Sequence, residues 1–318
     1  MIRTALLVTL LLPLPLQAEP GPGERAPIER SAAAALSGLT RGFADRDMPD
    51  SSAPAALALP LVAAPRPAVS QEPVSQADVL RAELRPGWRE ADGRYMAALH
   101  LNLAPHWKTY WRAPGDAGIP PEFDWSGSEN LQSVTLHWPQ PEVFDYQGMQ
   151  TIGYLTEVVL PVEVTPVDPS RAVVLRVAVD LGVCNDICMP AALTLQEPLP
   201  AAGPSDPLIR KALAQRPLTA AEAGVSSLAC AVEQTGKSLR VTARIGMPPL
   251  PGAETVVMEP AGGVWVSDTE THRDGATLIA VADIVPPRDG AYLFDPAALR
   301  LTVLAEGRAV EMTGCALD

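Results

Sequence analysis

Two of the four cysteines, Cys184 and Cys188, have only three residues between them. A disulfide needs Cα atoms about 4.4–6.8 Å apart, and a turn or tight hairpin brings residues at this spacing that close. Such a pair can exchange with other disulfides, bind a soft metal ion, or form a purely structural bond. Because closing so small a ring removes little chain entropy, the bond would stabilise the fold only weakly. A bond that opens and closes is therefore a reasonable hypothesis.

The charges near this pair in the sequence are acidic. No Lys or Arg lies between Arg176 and Arg210, whereas Asp180 and Asp186 flank the cysteines. A reactive thiolate normally needs a nearby cation or a helix N-terminus. The local sequence therefore predicts a shielded dithiol that reacts slowly with small oxidants and is opened by the thiolate of a specific partner.

The cysteine pair follows a segment with the pattern of a half-buried strand. Residues Ala172–Asp180 alternate between apolar and other side chains, with a period of two. Similar short segments recur along the chain between turns rich in the 34 prolines and 23 glycines. We predict an all-β protein with two antiparallel β-sandwich domains, residues 76–200 and 226–318. Residues 201–225 are predicted to be a linker with a short helix near Asp206–Ala214.

The N-terminal residues have the pattern of an export signal. Arg3 precedes an apolar stretch, Ala5–Leu16, that is shorter than the roughly 20 residues of a membrane-spanning helix. We predict a signal peptide at residues 1–18, cleaved after about Ala18, and a Pro/Ala-rich, mostly disordered linker at residues 19–75. The mature protein is expected to be exported and to have no membrane span.

Export changes the interpretation of the other two cysteines, Cys230 and Cys315. An even number of cysteines outside the cytosol favours disulfides. These two lie near the first and last predicted strands of the second domain. We expect them to form a structural disulfide, worth about 4–5 kcal/mol in the chain-entropy model.

The overall charge excludes some classes of partner. The formal net charge is −13, and the sequence contains no run of Lys or Arg residues. This balance argues against nucleic acid and anionic membranes as partners. The four histidines have no metal-ligand spacing, so we assign no metal site and no cofactor.

Three aromatic residues lie within five positions in the first predicted domain, followed by a Gly/Pro loop. Trp107 and Trp111 are interpreted as core residues of the sandwich, since aromatic side chains usually serve packing. Asp116, between Gly115 and Gly118, is interpreted as a turn residue.

Several motifs together resemble one known family. The chain resembles the N-terminal periplasmic domain of the thiol:disulfide interchange protein DsbD and its copper-sensitivity (ScsB-like) relatives, over about residues 76–200. The motifs that carry the resemblance are Trp107-Lys108-Thr109-Tyr110-Trp111, Pro114-Gly115-Asp116-Ala117-Gly118, Pro120-Pro121, Phe144-Asp145-Tyr146-Gln147-Gly148, Leu160-Pro161-Val162 and Cys184…Cys188-Met189-Pro190.

The resemblance implies an immunoglobulin-like fold and an electron relay. By this match Cys184 and Cys188 are the redox pair, and Cys188 attacks partner disulfides. Tyr146 takes the place of an aromatic residue on a cap loop that shields the pair, with Asp145 as the acid beside it. The family implies a component of a protein-disulfide reductase system. Its partners are a thioredoxin-like donor served by a membrane electron transporter, and a periplasmic disulfide isomerase or cytochrome-maturation protein as acceptor.

The chain differs from the family pattern in three ways. Its cysteines are closer together in sequence than in well-studied members, and Phe144 stands where the cap loop has a further acid. The sequence to Asp318 contains no transmembrane bundle and no thioredoxin-like module, so the electron donor and transporter are expected to be separate chains.

Two other functions stay open at the level of the sequence. In one, Cys184, Cys188 and Met189 bind or deliver Cu(I), because thiolate and thioether ligands select this ion. In the other, the chain is a secreted interaction module in which both disulfides are structural.

Overall fold

The computed structural model describes residues 74–146, 148–288 and 292–317, and of Tyr146 only the backbone. The predicted signal peptide lies outside these residues, as does the predicted linker apart from its last two positions. Among the described residues, no helix has the length and apolar character needed to cross a membrane.

The first part of the chain forms two packed sheets. A four-stranded sheet has the order β1-β2-β8-β5, and a second sheet has the order β10-β9-β3-β7-β6, with β4 also paired to β9. All these pairings are antiparallel. The elements are α1 (Gln76–Val79), β1 (Leu80–Arg89), β2 (Tyr95–Leu103), β3 (Lys108–Gly115), β4 (Glu122–Asp124), β5 (Leu131–Leu136), β6 (Glu142–Tyr146), β7 (Met149–Leu155), β8 (Glu157–Pro166), β9 (Val173–Cys184) and β10 (Cys188–Leu199).

Period-two alternation builds the core between these sheets. Val173, Leu175, Val177 and Val179 of β9 are buried, while the residues between them are less so. Successive side chains of a strand point to opposite faces, so one face of β9 lines the core and the other faces outward. Trp107 and Trp111 belong to the same buried cluster, as the sequence predicted.

The second part repeats the two-sheet arrangement. Its sheets have the orders β11-β19-β18-β14 and β15-β17-β13-β12-β20, with β16 also paired to β17. The pairs β11–β19 and β12–β20 are parallel and the rest antiparallel. The elements are α2 (Pro207–Ala214), β11 (Leu218–Thr219), β12 (Ser227–Thr235), β13 (Ser238–Gly246), β14 (Thr255–Glu259), β15 (Trp265–Val266), β16 (Glu270–Asp274), β17 (Thr277–Val285), a short 3-10 helix (Pro296–Ala298), β18 (Arg300–Ala305), β19 (Arg308–Thr313) and β20 (Ala316–Leu317).

This architecture confirms the predicted all-β fold of two sandwiches built mainly from antiparallel sheets. Two details differ from the sequence-based description. The cap, which the resemblance implies to be a loop, is the tip of a hairpin in which β6 and β7 pair. The predicted linker 201–225 contains β11, which pairs with β19 of the second sandwich. Strand β11 has only two residues, too few to show a period, and β7 has four successive buried residues where an alternating pattern would be expected.

The two sandwiches pack against each other through apolar and charged side chains. Leu304 and Ala309 of the second sandwich belong to the buried cluster of the first. The guanidinium of Arg112, on β3, donates to both carboxylate oxygens of Glu259 at 2.8 and 2.9 Å and to Glu311 at 2.5 Å. Strand β3 therefore contacts the second sandwich through Arg112, and its first residues lie beside the cysteine pair.

Candidate redox site

The two cysteines lie directly opposite each other at the tip of a β-hairpin. Strand β9 ends at Cys184, β10 begins at Cys188, and the two residues are register partners. They are joined by a disulfide, with their Cα atoms 4.1 Å apart. The amide of Asn185 donates to the carbonyl of Ile187 at 3.0 Å, which closes the three-residue loop. The hairpin thus brings the two sulfur atoms together without help from any other element.

The two cysteines differ strongly in their exposure. Cys184 is only 1% exposed, whereas Cys188 is an exposed residue. Thiol–disulfide exchange requires the attacking sulfur to reach one sulfur of the bond in line. The accessible end of this bond is therefore Cys188, and Cys184 is the natural leaving group.

Tyr110 supplies a hydrogen bond to the disulfide that sequence reasoning did not predict. Its hydroxyl donates to Cys184 Sγ at 2.8 Å and lies 3.7 Å from Cys188 Sγ. Burial raises the pKa of Tyr110, so the phenol keeps its proton and can donate it. The period-two pattern contains the clue, because Tyr110 must face away from its core neighbour Trp111.

The Gly/Pro loop after β3 packs over Tyr110 and the end of β9. A Cβ atom on Gly118 would lie 2.9 Å from Tyr110 Cδ1, and one on Gly182 would lie 2.7 Å from Ile119 Cβ. Neither position has room for a larger residue. Asp116 pairs with β7: its amide donates to the Gln150 carbonyl at 3.0 Å, and its carboxylate accepts from the Gln150 amide at 3.1 Å. Asp116 lies in a turn, as expected, but these contacts join it to β7 and not to other residues of the turn.

Strand β3 also carries the cation that is missing from the sequence around the cysteines. Lys108 is the register partner of Cys184. Its ammonium donates to Thr151 Oγ1 at 2.9 Å and lies 5.0 Å from the centroid of the Phe144 ring. Burial lowers the pKa of Lys108. No local sequence pattern predicts this neighbour, because 76 positions separate Lys108 from Cys184.

The predicted cap segment is the tip of the β6–β7 hairpin. The Asp145 carboxylate accepts from the amide of Gly148 at 3.3 Å, and Gly148 has a φ of +83°, which favours glycine. Asp145 therefore helps to shape the turn. The Tyr146 side chain lies outside the described residues. Phe144 extends from the same hairpin to the Lys108 ammonium.

The third ligand of the copper hypothesis packs elsewhere. Met189 is half-buried and contacts the hydrophobic core of the first sandwich. It follows Cys188 directly in β10, so the two side chains point to opposite faces of the sheet. Within residues 74–146, 148–288 and 292–317, no group of three or more His, Cys, Asp or Glu side chains could hold a metal ion.

The other cysteine pair lies in the second sandwich. Cys230 on β12 and Cys315 just before β20 are joined by a disulfide, with Cα atoms 5.8 Å apart and 85 positions apart in sequence. Cys230 is fully buried and Cys315 is 8% exposed. This bond fixes the end of the chain to β12, and a partner cannot reach it without opening the sandwich.

Fold and site together define a class of protein: an immunoglobulin-like β-sandwich that carries a half-exposed disulfide on a hairpin. Residues 76–200 match the family described as thiol:disulfide interchange protein DsbD, N-terminal. The family match covers the same residues as the resemblance that the motifs carry, and it supports that resemblance.

One solved structure extends the similarity beyond that domain. The crystal structure of the N-terminal periplasmic domain of ScsB from Proteus mirabilis aligns with a TM-score of 0.54 and 26% sequence identity, over 74% of this chain and 93% of that chain. Since residues 76–200 are less than half of the chain, the similarity extends beyond them. No curated protein matches the sequence significantly.

Proposed function

We propose that this protein is a periplasmic thiol–disulfide interchange component in which the Cys184–Cys188 pair relays electrons. Membership of residues 76–200 in the DsbD N-terminal family supports thiol:disulfide interchange as the reaction class. The donor is a thioredoxin-like protein served by a membrane electron transporter. The acceptor is a periplasmic disulfide isomerase or a cytochrome-maturation protein.

The observation that carries this proposal is the unequal exposure of the two sulfurs. A donor thiolate attacks the exposed Cys188 Sγ, a new S–S bond forms, and the Cys184–Cys188 bond breaks with its electron pair on Cys184. The second thiolate of the donor then attacks the donor sulfur of the mixed disulfide. This forms the donor's disulfide and releases Cys188 as a thiolate. The donor dithiol has become a disulfide, and this protein carries two more electrons.

The reduced pair passes these electrons on by the same chemistry in reverse. Cys188 attacks the acceptor disulfide, and Cys184 then resolves the mixed disulfide and releases the reduced acceptor. Two exposed apolar side chains on this hairpin or against it would be covered by either partner. Ile187, which precedes Cys188, is 56% exposed, and Ile119, which lies against Gly182 of β9, is 40% exposed. Two partners would therefore dock in turn on one surface.

The location and the cap are part of the same proposal. The similar structure from Proteus mirabilis is named as a periplasmic domain, and we infer the same compartment for this chain after removal of residues 1–18. In the cap, Asp145 shapes the hairpin turn and Tyr146 is the aromatic residue that shields the sulfurs, as the resemblance implies.

Single-cysteine variants test the assignment of the two sulfurs. We expect Cys184→Ala, which keeps the exposed thiol, to form a mixed disulfide with oxidised glutathione at least about tenfold faster than Cys188→Ala, since access limits exchange. The measurement is the time course of adduct formation by intact mass. Faster reaction of Cys188→Ala would show that Cys184 is the attacking sulfur.

The reduction potential separates the relay from the alternatives. Equilibration of the wild-type protein with glutathione buffers should give a value above about −300 mV, and a lower value indicates a structural bond. Tight Cu(I) binding by the reduced protein that is lost in Cys184→Ser would support copper delivery instead.

A further inference from the structure

We propose that Lys108 is a positioning residue for this exchange, because its ammonium neutralises the thiolate formed on Cys184. This inference rests on the proposed function, in which Cys184 is the leaving group. It assigns to the reaction a residue that lies on another strand and outside the cysteine loop.

The strand register places Lys108 beside Cys184. In an antiparallel pair, directly opposite residues point to the same face of the sheet, with Cβ atoms about 4.5–5.5 Å apart. Lys108 is directly opposite Cys184. Tyr110, two residues further along β3, is on the same face and reaches Cys184 Sγ with its hydroxyl. Lys108 and Tyr110 therefore lie on the face of β3 that the Cys184 side chain shares.

The Lys108 ammonium has neutral partners in the oxidised protein. It donates to the Thr151 hydroxyl and lies over the Phe144 ring. Among the described residues, no carboxylate lies within ion-pair distance of it. Phe144 and Thr151 are themselves register partners in the β6–β7 hairpin. The cation is thus held in place by a hairpin that does not neutralise it.

A half-buried cation without an anion is an unfavourable arrangement that a new anion relieves. Burial penalises the charged form of Lys108, and its pKa is lowered for this reason. When the disulfide is reduced, the electron pair that leaves with Cys184 creates a negative charge on the same face. Attraction between the two charges stabilises the reduced form and improves Cys184 as a leaving group.

Four other charged residues lie on the segments around the site. Asp186 is on the cysteine loop, Asp145 and Glu142 are on the cap hairpin, and Asp116 is on the loop that packs over Tyr110. All four are acidic and exposed. They oppose a thiolate, so the single ammonium of Lys108 has a large share in deciding whether it forms.

The test is a pH titration of thiolate absorbance in the full-length chain, with the pair reduced by a phosphine and the Cys230–Cys315 bond intact. In Lys108→Met, which keeps an unbranched apolar stem without the charge, we expect the Cys184 thiolate to appear at higher pH. At pH 7 the thiolate population should fall about tenfold, which corresponds to one pH unit. Lys108→Arg keeps the positive charge, so its thiolate population at pH 7 should be close to that of the wild type.

Two comparisons make the result decisive. Lys237, on the turn between β12 and β13 in the second sandwich, is exposed, and Lys237→Met changes the net charge equally without touching the site. The proposal would be overturned if Lys108→Met titrated like the wild type. It would also be overturned if Lys108→Arg lost as much thiolate at pH 7 as Lys108→Met, or if Lys237→Met shifted the thiolate titration equally. Because a phosphine reduces the pair, the titration does not depend on exchange with any partner protein. Loss of exchange in the wild type would refute the relay while this result still stands.

Discussion

At the scale of single residues, the site is a disulfide whose two ends meet different surroundings. Cys188 meets solvent, whereas Cys184 meets the Tyr110 hydroxyl in a buried position. A hydrogen bond to a charged group typically contributes about 1.5–3 kcal/mol. The bond from Tyr110 therefore strengthens once Cys184 carries the charge of a thiolate.

Tyr110→Phe tests this contribution by removing one oxygen atom. We expect reduction of the pair by dithiothreitol at pH 7 to slow about tenfold, because about 1.4 kcal/mol of stabilisation of the leaving thiolate is lost. The measurement is the rate of thiol formation under pseudo-first-order conditions.

Tyr154→Phe is the matched control for this variant. Tyr154 is another buried tyrosine, and its hydroxyl donates to the Pro139 carbonyl at 2.8 Å. Its loss should lower stability without slowing reduction. Equal slowing in both variants would mean that packing, and not the bond to sulfur, controls the rate.

At the scale of elements, helix α2 is fastened to the first sandwich by one aspartate. Asp206 caps the helix, since its carboxylate accepts from the amides of Leu208 and Ile209 at 2.7 and 3.2 Å. The same carboxylate pairs with Arg85 on β1 at 2.7 Å. Ile209 then packs in a small buried cluster on the outer face of β2. The cap and the ion pair together fix where the connection between the sandwiches begins.

Asp206→Ala should destabilise the protein by about 2 kcal/mol at neutral pH, through loss of the cap and of the partner of Arg85. Burial alone would raise the pKa of Asp206, but the hydrogen bonds from Arg85 and the two amides outweigh it and lower the pKa. The contribution of the ionised Asp206 to the free energy of unfolding is therefore fully present above the ordinary aspartate pKa. It is lost as the pH falls through the lowered pKa of the folded protein. Urea unfolding of both proteins at neutral and acidic pH measures the difference. A difference that grows on acidification would contradict this account.

At the scale of the whole molecule, the second sandwich contacts the strand that carries the redox site. Arg112 is two residues beyond Tyr110 on β3, and its guanidinium pairs with Glu259 and Glu311 of the second sandwich. It also lies 4.1 Å from the Trp111 ring centroid. Burial disfavours the charge on Arg112, but the hydrogen bonds and charges of the two glutamates outweigh this and raise its pKa. The guanidinium therefore links the two sandwiches as a fixed cation.

Arg112→Met should destabilise the protein by about 2 kcal/mol, because two partly buried carboxylates lose their partner. Denaturant unfolding followed by tryptophan fluorescence measures the change. Arg240→Met is the control, since Arg240 pairs with Asp283 at an exposed site, where an ion pair contributes about 0–1 kcal/mol. Equal losses of stability in the two variants would show that the ion pairs of Arg112 between the sandwiches contribute no more than an exposed ion pair.

Much of the fold could be predicted from the sequence because local patterns carry it. Alternation of apolar residues in segments such as Val173–Asp180 predicts strands, and turn residues between them predict an antiparallel sandwich. The helix predicted at Asp206–Ala214 is observed at Pro207–Ala214, with Asp206 as its cap. These features depend on residues close together in the chain, which is why the sequence suffices for them.

The redox pair was also visible in the sequence, but its surroundings were not. Cys184 and Cys188 are close together in the chain, and the motifs around them predicted the family that residues 76–200 match. Lys108 and Tyr110 reach the sulfur only because β3 pairs with β9, and Arg112 meets its glutamates only because two sandwiches pack together. Strand pairing between distant segments depends on the packing of the whole core, which no local pattern encodes. The sequence alone therefore determined which two sulfurs form the pair, and the tertiary structure decided which one is exposed and which charges face it.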